Sequence, residues 1–271
     1  MKQQIKHILF HRHLIYEFLK RDLQARYLGS AIGFFWSVVN PLILLAVYTV
    51  VFGYILKAKY DALGFGEAGT VAFAFYIFSG LMPWFAFQES LMRTTTCIVD
   101  NAHLIKQVRF PAKVLPAYLA ISSLVNQLIG TFIFMAGYML MTWSAHWTWL
   151  ALPLVIAIEF VMFFGLGLFF STLHTYVRDV GPLISIVTMI LMWTTPMLYT
   201  MEMAQQAPQW VESILYLNPI TYLILLHHDL MLNGVWPALW LWLTFGALSL
   251  ISLTAGYALF TRCHSEFADL L

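Results

Sequence analysis

The stretch DNAHLIKQVRFPAKVLP, residues 100–116, lies between two long apolar runs and is itself too polar to cross a bilayer. It ends one span, begins the next and pins both to one side of the membrane. Lys106, Arg109 and Lys113 recur at intervals of three and four, so a helix presents them on one face. Pro111 and Pro116 punctuate the exit, because proline cannot continue a hydrogen-bonded helix without a break. Charge alone reads as an ordinary positive cytoplasmic loop. The order of residues points further, to a handle by which something in the cytoplasm moves the chain.

The rest of the chain follows from that boundary. Of 271 residues, 61% are hydrophobic, 17% aromatic and only 10% charged, against about 25% charged in a soluble domain. This is the composition of a polytopic, all-α membrane protein. Six apolar stretches, at about 31–56, 71–92, 114–142, 149–173, 181–200 and 236–260, each approach the roughly 20 residues needed to cross the hydrocarbon core. Six spans place both termini on one side, and the basic residues say which. Lys2, Lys6, Arg12, Lys20, Arg21, Arg26, Arg93, Lys106, Arg109, Lys113, Arg178 and Arg262 share a side, leaving Lys57 and Lys59 on the other. That asymmetry makes both termini and the 100–116 segment cytoplasmic. Cys97 and Cys263 fall at cytoplasmic helix ends, where reduced thiols are the default. No short apolar core with a small-residue cleavage site follows the charged N-terminus, so a cleaved signal peptide is not expected. Without repeats or linkers, the expectation is a single domain over 1–271: an interfacial helix at 1–30, a six-span bundle at 31–260 and a cytoplasmic tail at 261–271.

Residues 2–27 have the period of an amphipathic helix. Ile5, Ile8, Leu9, Ile15, Tyr16, Leu19, Leu23 and Tyr27 share one side, opposite Lys2, Lys6, His13, Glu17, Lys20 and Gln24. Such a helix lies in the membrane surface with its lysines toward anionic headgroups; the alternative is a helix packed on another subunit. At the other side, Trp143, Trp147 and Trp149 surround His146 as an aromatic belt would. The segment 201–235 contains no Lys or Arg. Its two apolar pieces, 210–217 and 220–232, meet at Asn218 and Pro219. Each is too short to span, so they read as re-entrant helices or as a surface loop with one interfacial helix.

Several polar residues invite chemistry. Glu159 is the one carboxylate well inside a span, so it must face protein or a wet cavity, or stay protonated. His227, His228 and Asp229 are adjacent, but neighbours on a helix point about 100° apart, and a metal is not expected. His7 and His11 have helical spacing without an acidic partner. No Gly-x-x-x-x-Gly-Lys-Ser/Thr loop occurs, so ATP and its magnesium, if used, belong to another chain. The aromatics of spans one and two, among them Phe34, Phe35, Trp36, Phe73, Phe75, Tyr76, Phe78, Trp84, Phe85 and Phe87, could line a path for sugar rings or serve as lipid-facing filler and interfacial anchors.

Four short motifs in order resemble the membrane subunits of ABC-2 type exporters of polysaccharides, the permeases for O-antigen, capsular glycan and teichoic acid. They are Leu104-Ile105-Lys106 with Arg109-Phe110-Pro111 and Leu115-Pro116; Tyr176-Val177-Arg178-Asp179; Trp193-Thr194-Thr195-Pro196-Met197-Leu198-Tyr199; and Leu217-Asn218-Pro219-Ile220-Thr221-Tyr222. The resemblance covers nearly the whole chain. It implies a homodimer in the bacterial inner membrane with two copies of a separate cytoplasmic ATPase. Coupling to that ATPase would fall on Asn101, Leu104, Lys106, Arg109, Phe110, Pro111 and Lys113, with a smaller contact at Arg178 and Asp179. A pore along the dimer interface, lined partly by spans one and five, would carry the glycan past Trp36, Tyr48, Phe52, Trp84 and Trp193. The re-entrant pair would form an outer gate with Trp210, Tyr216, Asn218, Pro219 and Tyr222.

The substrate expected on that resemblance is an undecaprenyl-pyrophosphate-linked glycan, its pyrophosphate met by Lys20, Arg21 and Arg26 through charge-assisted hydrogen bonds. Positive-inside anchoring accounts for the same three residues. Teichoic acid and capsular polysaccharide are rival substrates of the same class, and a small-molecule ABC-2 exporter is a third. An intramembrane enzyme acting on lipid-linked sugars, with Glu159, Asp179 or His227 as acid or base, is the rival of a different class. The three residues are expected on both membrane sides rather than at one depth. No nucleic acid partner, resident cofactor or metal is expected in this chain.

Overall fold

The computed structural model describes residues 12–26, 35–55, 69–107 and 110–271, and every regular element in them is a helix. Among the described residues four helices are long and apolar enough to cross a membrane. These are α3 (Gly69–Asp100), α5 (Val114–Thr142), α6 (Leu152–Tyr176, preceded by a 3-10 turn Trp147–Ala151) and α11 (Leu239–Cys263). Two shorter apolar helices accompany them: α2 (Trp36–Tyr48), which runs on through a π turn Thr49–Ile55, and α7 (Val180–Trp193). The second apolar run, expected to end near residue 92, continues unbroken to Asp100.

Helix α3 is the centre. It is apolar on every side between Ala72 and Phe87 and buried over nearly that whole length, as a helix without a polar face must be. Around it stand α5, α6, α7 and α10 (Pro219–His227). Helices α6 and α11 meet most closely of all, and glycine is the reason: a Cβ on Gly256 would overlap the Gly165 carbonyl, and one on Gly165 would overlap the backbone of Leu253. Small residues let apolar helices close to backbone contact where no hydrophobic force from water draws them together.

One end of the bundle gathers the described basic residues. There α1 (Arg12–Ala25) packs Ile15, Leu14, Phe18 and Leu19 onto Val114, Leu115 and Tyr118 of α5, beside Cys97 of α3 and Phe260 of α11. His13, Glu17, Lys20 and Gln24 face outward as the periodicity predicts, but Tyr16 is 59% exposed rather than turned inward with Ile15. The apolar stripe of α1 is thus narrower than the sequence suggests, and it covers protein. The earlier part of that amphipathic pattern, residues 2–11, lies outside the described residues, as do Tyr27, Phe34, Lys57 and Lys59.

Tryptophans mark the opposite end. Trp147 stacks on Trp236 at 5.8 Å, and Trp143 is 88% exposed. Trp149 departs from the expected belt: it is buried, and its indole N–H donates to the Met231 carbonyl at 3.1 Å. Gly234, at φ 63, closes the π turn His228–Asn233, and any Cβ there would collide with the His146 ring. The 201–235 segment forms α8 (Met201–Gln205), α9 (Gln209–Leu217) and then α10.

Candidate functional site

At the basic end, α3 presents Glu89 and Arg93 four residues apart, on one face. The last turn of α1 brings Asp22 onto that face, Arg26 follows directly after the helix, and α5 adds Ser122 and Asn126 one turn apart. Arg26 donates through Nε to Asp22 Oδ2 at 3.1 Å and through Nη2 to Glu89 Oε1 and to Ser122 Oγ, the latter at 2.9 Å. Arg93 pairs with Asp22 through both Nη atoms and reaches Glu89 Oε1 at 3.1 Å. Ser122 donates to Asp22 Oδ2 at 2.6 Å, and Asn126 donates to Glu89 Oε2 at 3.0 Å. Two guanidiniums against two carboxylates leave the cluster with no net charge. Burial raises the cost of charge on Asp22, but hydrogen bonds from Arg93 and Ser122, with the charges of Arg93 and Arg26, outweigh it and hold the carboxyl below its ordinary value.

Directly beside this cluster lies a cavity of about 560 Å3. Arg26 and Glu89 form one wall. Trp36, Asn40, Pro41 and Leu44 of α2 form another, facing Met82, Phe85, Gln88 and Met92 of α3, and Asn126 and Gln127 of α5 close it. It combines an aromatic wall with amide and carboxylate groups, the composition of a site that orients a polar ligand by a few hydrogen bonds. Sequence reasoning named Arg26 and Trp36 for different roles, and here they share one cavity. It missed Asp22, Asn40, Gln88 and Asn126, which carry no motif. The i, i+4 pairs Asp22/Arg26 and Glu89/Arg93 were the available signal.

The remaining headgroup residues divide. Lys20 and Arg21 are exposed on α1, whereas Arg26 is engaged by two carboxylates. The proposed path residues also divide. Trp36 (44% exposed) and Trp193 (65%) lie on the surfaces of α2 and α7, Tyr48 is half-buried, and Trp84 is fully enclosed in the core of α3. The side chain of Phe52 lies outside the described residues.

The described residues of the 100–116 segment include one short helix and the start of the next long one. Asn101 ends α3 by donating to the Cys97 carbonyl at 2.8 Å, and α4 (Ala102–Gln107) follows. Leu104 is partly buried and Lys106 exposed, while Arg109 lies outside the described residues. Phe110 turns inward to meet Phe18 of α1 edge-on at 5.7 Å, and Phe18 in turn contacts Tyr118. The Pro111 carbonyl accepts from Val114 N at 2.9 Å to start α5, and the Lys113 ammonium sits 4.0 Å over the Tyr257 ring. Arg178 and Asp179 occupy an exposed turn between α6 and α7 at the same end of the bundle. The structure thus gathers both segments at one end, with α1 wedged against the first of them.

At the tryptophan end, Asn218 joins α9 to α10. Its Oδ1 accepts from Ile220 N at 2.9 Å as an N-cap, with Pro219 at the first helical position. Its amide donates to Thr195 Oγ1 at 2.8 Å and to the Thr194 carbonyl at 3.2 Å. The Trp-Thr-Thr-Pro and Leu-Asn-Pro motifs are therefore two halves of one joint. Tyr222 donates to the Tyr216 carbonyl at 2.7 Å, and both rings meet Trp240. Trp210 is 64% exposed on α9, whereas α10 is buried along most of its length.

Below α10 the structure overturns one expectation. Glu159 and His227 are not held apart: Oε1 of one lies 3.3 Å from Nε2 of the other, both fully enclosed. Asp179 alone is remote. No group of three His, Cys, Asp or Glu side chains able to hold a metal occurs among the described residues.

The ABC-2 type transporter membrane family matches residues 13–228. An O-antigen export system permease protein RfbA of Klebsiella pneumoniae is 28% identical over 262 residues, covering 93% of this chain and 92% of that protein. RfbA of Myxococcus xanthus is 26% identical over 99% of each chain. The polysialic acid transport protein KpsM of Escherichia coli is 22% identical over 79% of each. With the helical bundle, the basic end and the joined motifs in place, the match over most of its length makes this chain a multi-pass membrane protein of the ABC-2 type transporter family.

Proposed function

We propose that this chain is the permease half of an ATP-driven exporter of a lipid-linked polysaccharide of the O-antigen kind. The observation that carries the reading is the cavity between α1, α2, α3 and α5, where Trp36 and Phe85 offer flat faces for a sugar ring and Asn40, Gln88, Asn126 and Gln127 offer donors and acceptors to its hydroxyls. The similarity to two O-antigen permeases over most of the chain supports the same substrate class.

In this reading α2 and α7 are the first and fifth of six spans, and the basic end is cytoplasmic. Two copies of the chain face each other across the apolar surfaces of α2 and α7, where Trp36, Ile43, Val47, Leu183, Ile186 and Trp193 are exposed. Two copies of an ATPase dock below, on α4 with Lys106 and on the Arg178–Asp179 turn. A push on the 100–113 segment passes through Phe110 to Phe18 and moves α1. The pyrophosphate is met by Lys20 and Arg21, with Arg26 holding α1 to the bundle instead. Helices α9 and α10 form the outer gate, hinged at Asn218. The similarity to a polysialic acid transporter favours capsular polysaccharide as the second reading.

The test is co-purification with the product of the adjacent gene, then ATP turnover in nanodiscs with and without lipid-linked glycan. A stable complex whose turnover responds to the glycan, and loses that response in the Phe110→Ala, Pro111→Ala variant, supports the reading. Absence of any ATPase partner overturns it.

A further inference from the structure

The wall of the cavity formed by Gln127 has a second side. Gln127 Nε2 lies 3.2 Å from Glu159 Oε1 and 3.2 Å from His227 Nε2, closing a triangle with the 3.3 Å Glu159–His227 contact. The other ring nitrogen, His227 Nδ1, lies 3.1 Å from the Leu223 carbonyl. A carbonyl only accepts, so Nδ1 carries a hydrogen and Nε2 is left to settle the protonation of the triangle. Without a further proton, two acceptors would face each other and an uncompensated negative charge would sit in the apolar interior, which is costly. With one proton between them the contact becomes a hydrogen bond and the pair is neutral. From this geometry we propose that Glu159 and His227 hold one proton between them, carried on Glu159 Oε1 and donated to His227 Nε2, and that this proton fastens α10 to α5 and α6.

Among the described residues the surroundings supply no other charge for the purpose. Helix α5 contributes Gln127 and, one turn on, Thr131. His228, next in sequence to His227 and also buried, packs its ring 4.1 Å from that of Tyr76 on α3, while Glu89 and Arg93 are consumed in the cluster with Asp22 and Arg26. Asp229 accepts from Asn233 at the tryptophan end. Helix α11 has no titratable side chain before Tyr257, and α7 has none from Val180 to Trp193. Helix α12 (Phe267–Leu270) meets α6 at its far end, where Tyr176 donates to Glu266. Proton loss from the pair would leave a negative charge that none of these neighbours can neutralise.

The proposal is tested on the full chain in lipid nanodiscs by infrared spectroscopy. A protonated carboxyl band is expected at pH 7, shifted by 13C-glutamate labelling and absent from Glu159→Gln; in His227→Gln it should persist at a changed frequency. On raising the pH, wild type should lose the band together with part of its thermal midpoint. Glu159→Gln, neutral throughout, should show no matching decline. Absence of a labelled-glutamate band at pH 7 overturns the proposal, as does a band unchanged in Glu159→Gln. An alkaline decline in midpoint equal in both proteins overturns the fastening role. Should Glu159→Gln fail to fold, the isotope shift and pH titration of the wild-type band decide the matter alone.

Discussion

Arg26 and Glu89 stand 63 positions apart in sequence, yet a single guanidinium nitrogen of Arg26 reaches both the Glu89 carboxylate and Ser122. Through that nitrogen the end of a surface helix is tied to two long helices at once. Asp22 completes the tie from the same turn of α1, so the attachment of α1 is electrostatic at its end and apolar along its length.

Asp22→Asn should loosen α1. Both arginines lose a charged partner while remaining partly buried, a loss of about 1–3 kcal/mol. Thermal melting should fall, and proteolysis within residues 12–26 should quicken. Arg93→Gln should show strong non-additivity with it in a double-mutant cycle.

The same attachment should be indifferent to pH across the physiological range. The folded-state value of Asp22 is lowered from 3.8, so its contribution is fully present above that value and is lost as pH falls through the lower, folded one. Protease protection of α1 should therefore hold steady from about pH 5 to 8 and weaken only below about pH 4. Loss of protection between pH 5 and 7 would contradict this assignment.

Gly256→Ala and Gly165→Ala should each force α6 and α11 apart, because the added methyl meets backbone rather than a yielding side chain. The cost of such overpacking is about 1–3 kcal/mol. Gly246→Ala, with open space around its Cβ, is the control on α11 and should melt as wild type does.

Asn218→Ala removes the N-cap of α10, worth about 0.5–2 kcal/mol, and also the donor to Thr194 and Thr195. Asn218→Asp keeps the cap but sets a carboxylate against the Thr194 carbonyl. Both should lower the melting temperature, and Asp should fail to rescue Ala fully if the amide donor matters.

Much of this architecture was legible. Apolar length located the helices, and the motifs around Phe110, Thr195 and Asn218 fell where elements join, since proline and asparagine have narrow backbone uses. Facing was not legible in α3, because a helix apolar on every side gives no period to read; hence Trp84 read as a path residue when it is enclosed. Nor could spacing reveal that Glu159 and His227 meet, since 68 residues and several turns separate them. The narrow apolar stripe of α1 was blurred by Tyr16, an amphipathic side chain that suits either face.

The backbone contact between α6 and α11 has one more consequence. Two helices joined at Gly165 and Gly256 without intervening side chains have no lubricating layer over which to slide. In the exporter proposed above they form the fixed frame. On that reading the stroke is borne by α1, held by ion pairs that can be exchanged, and by α2 and α7, whose outward faces no described residue of the protomer covers.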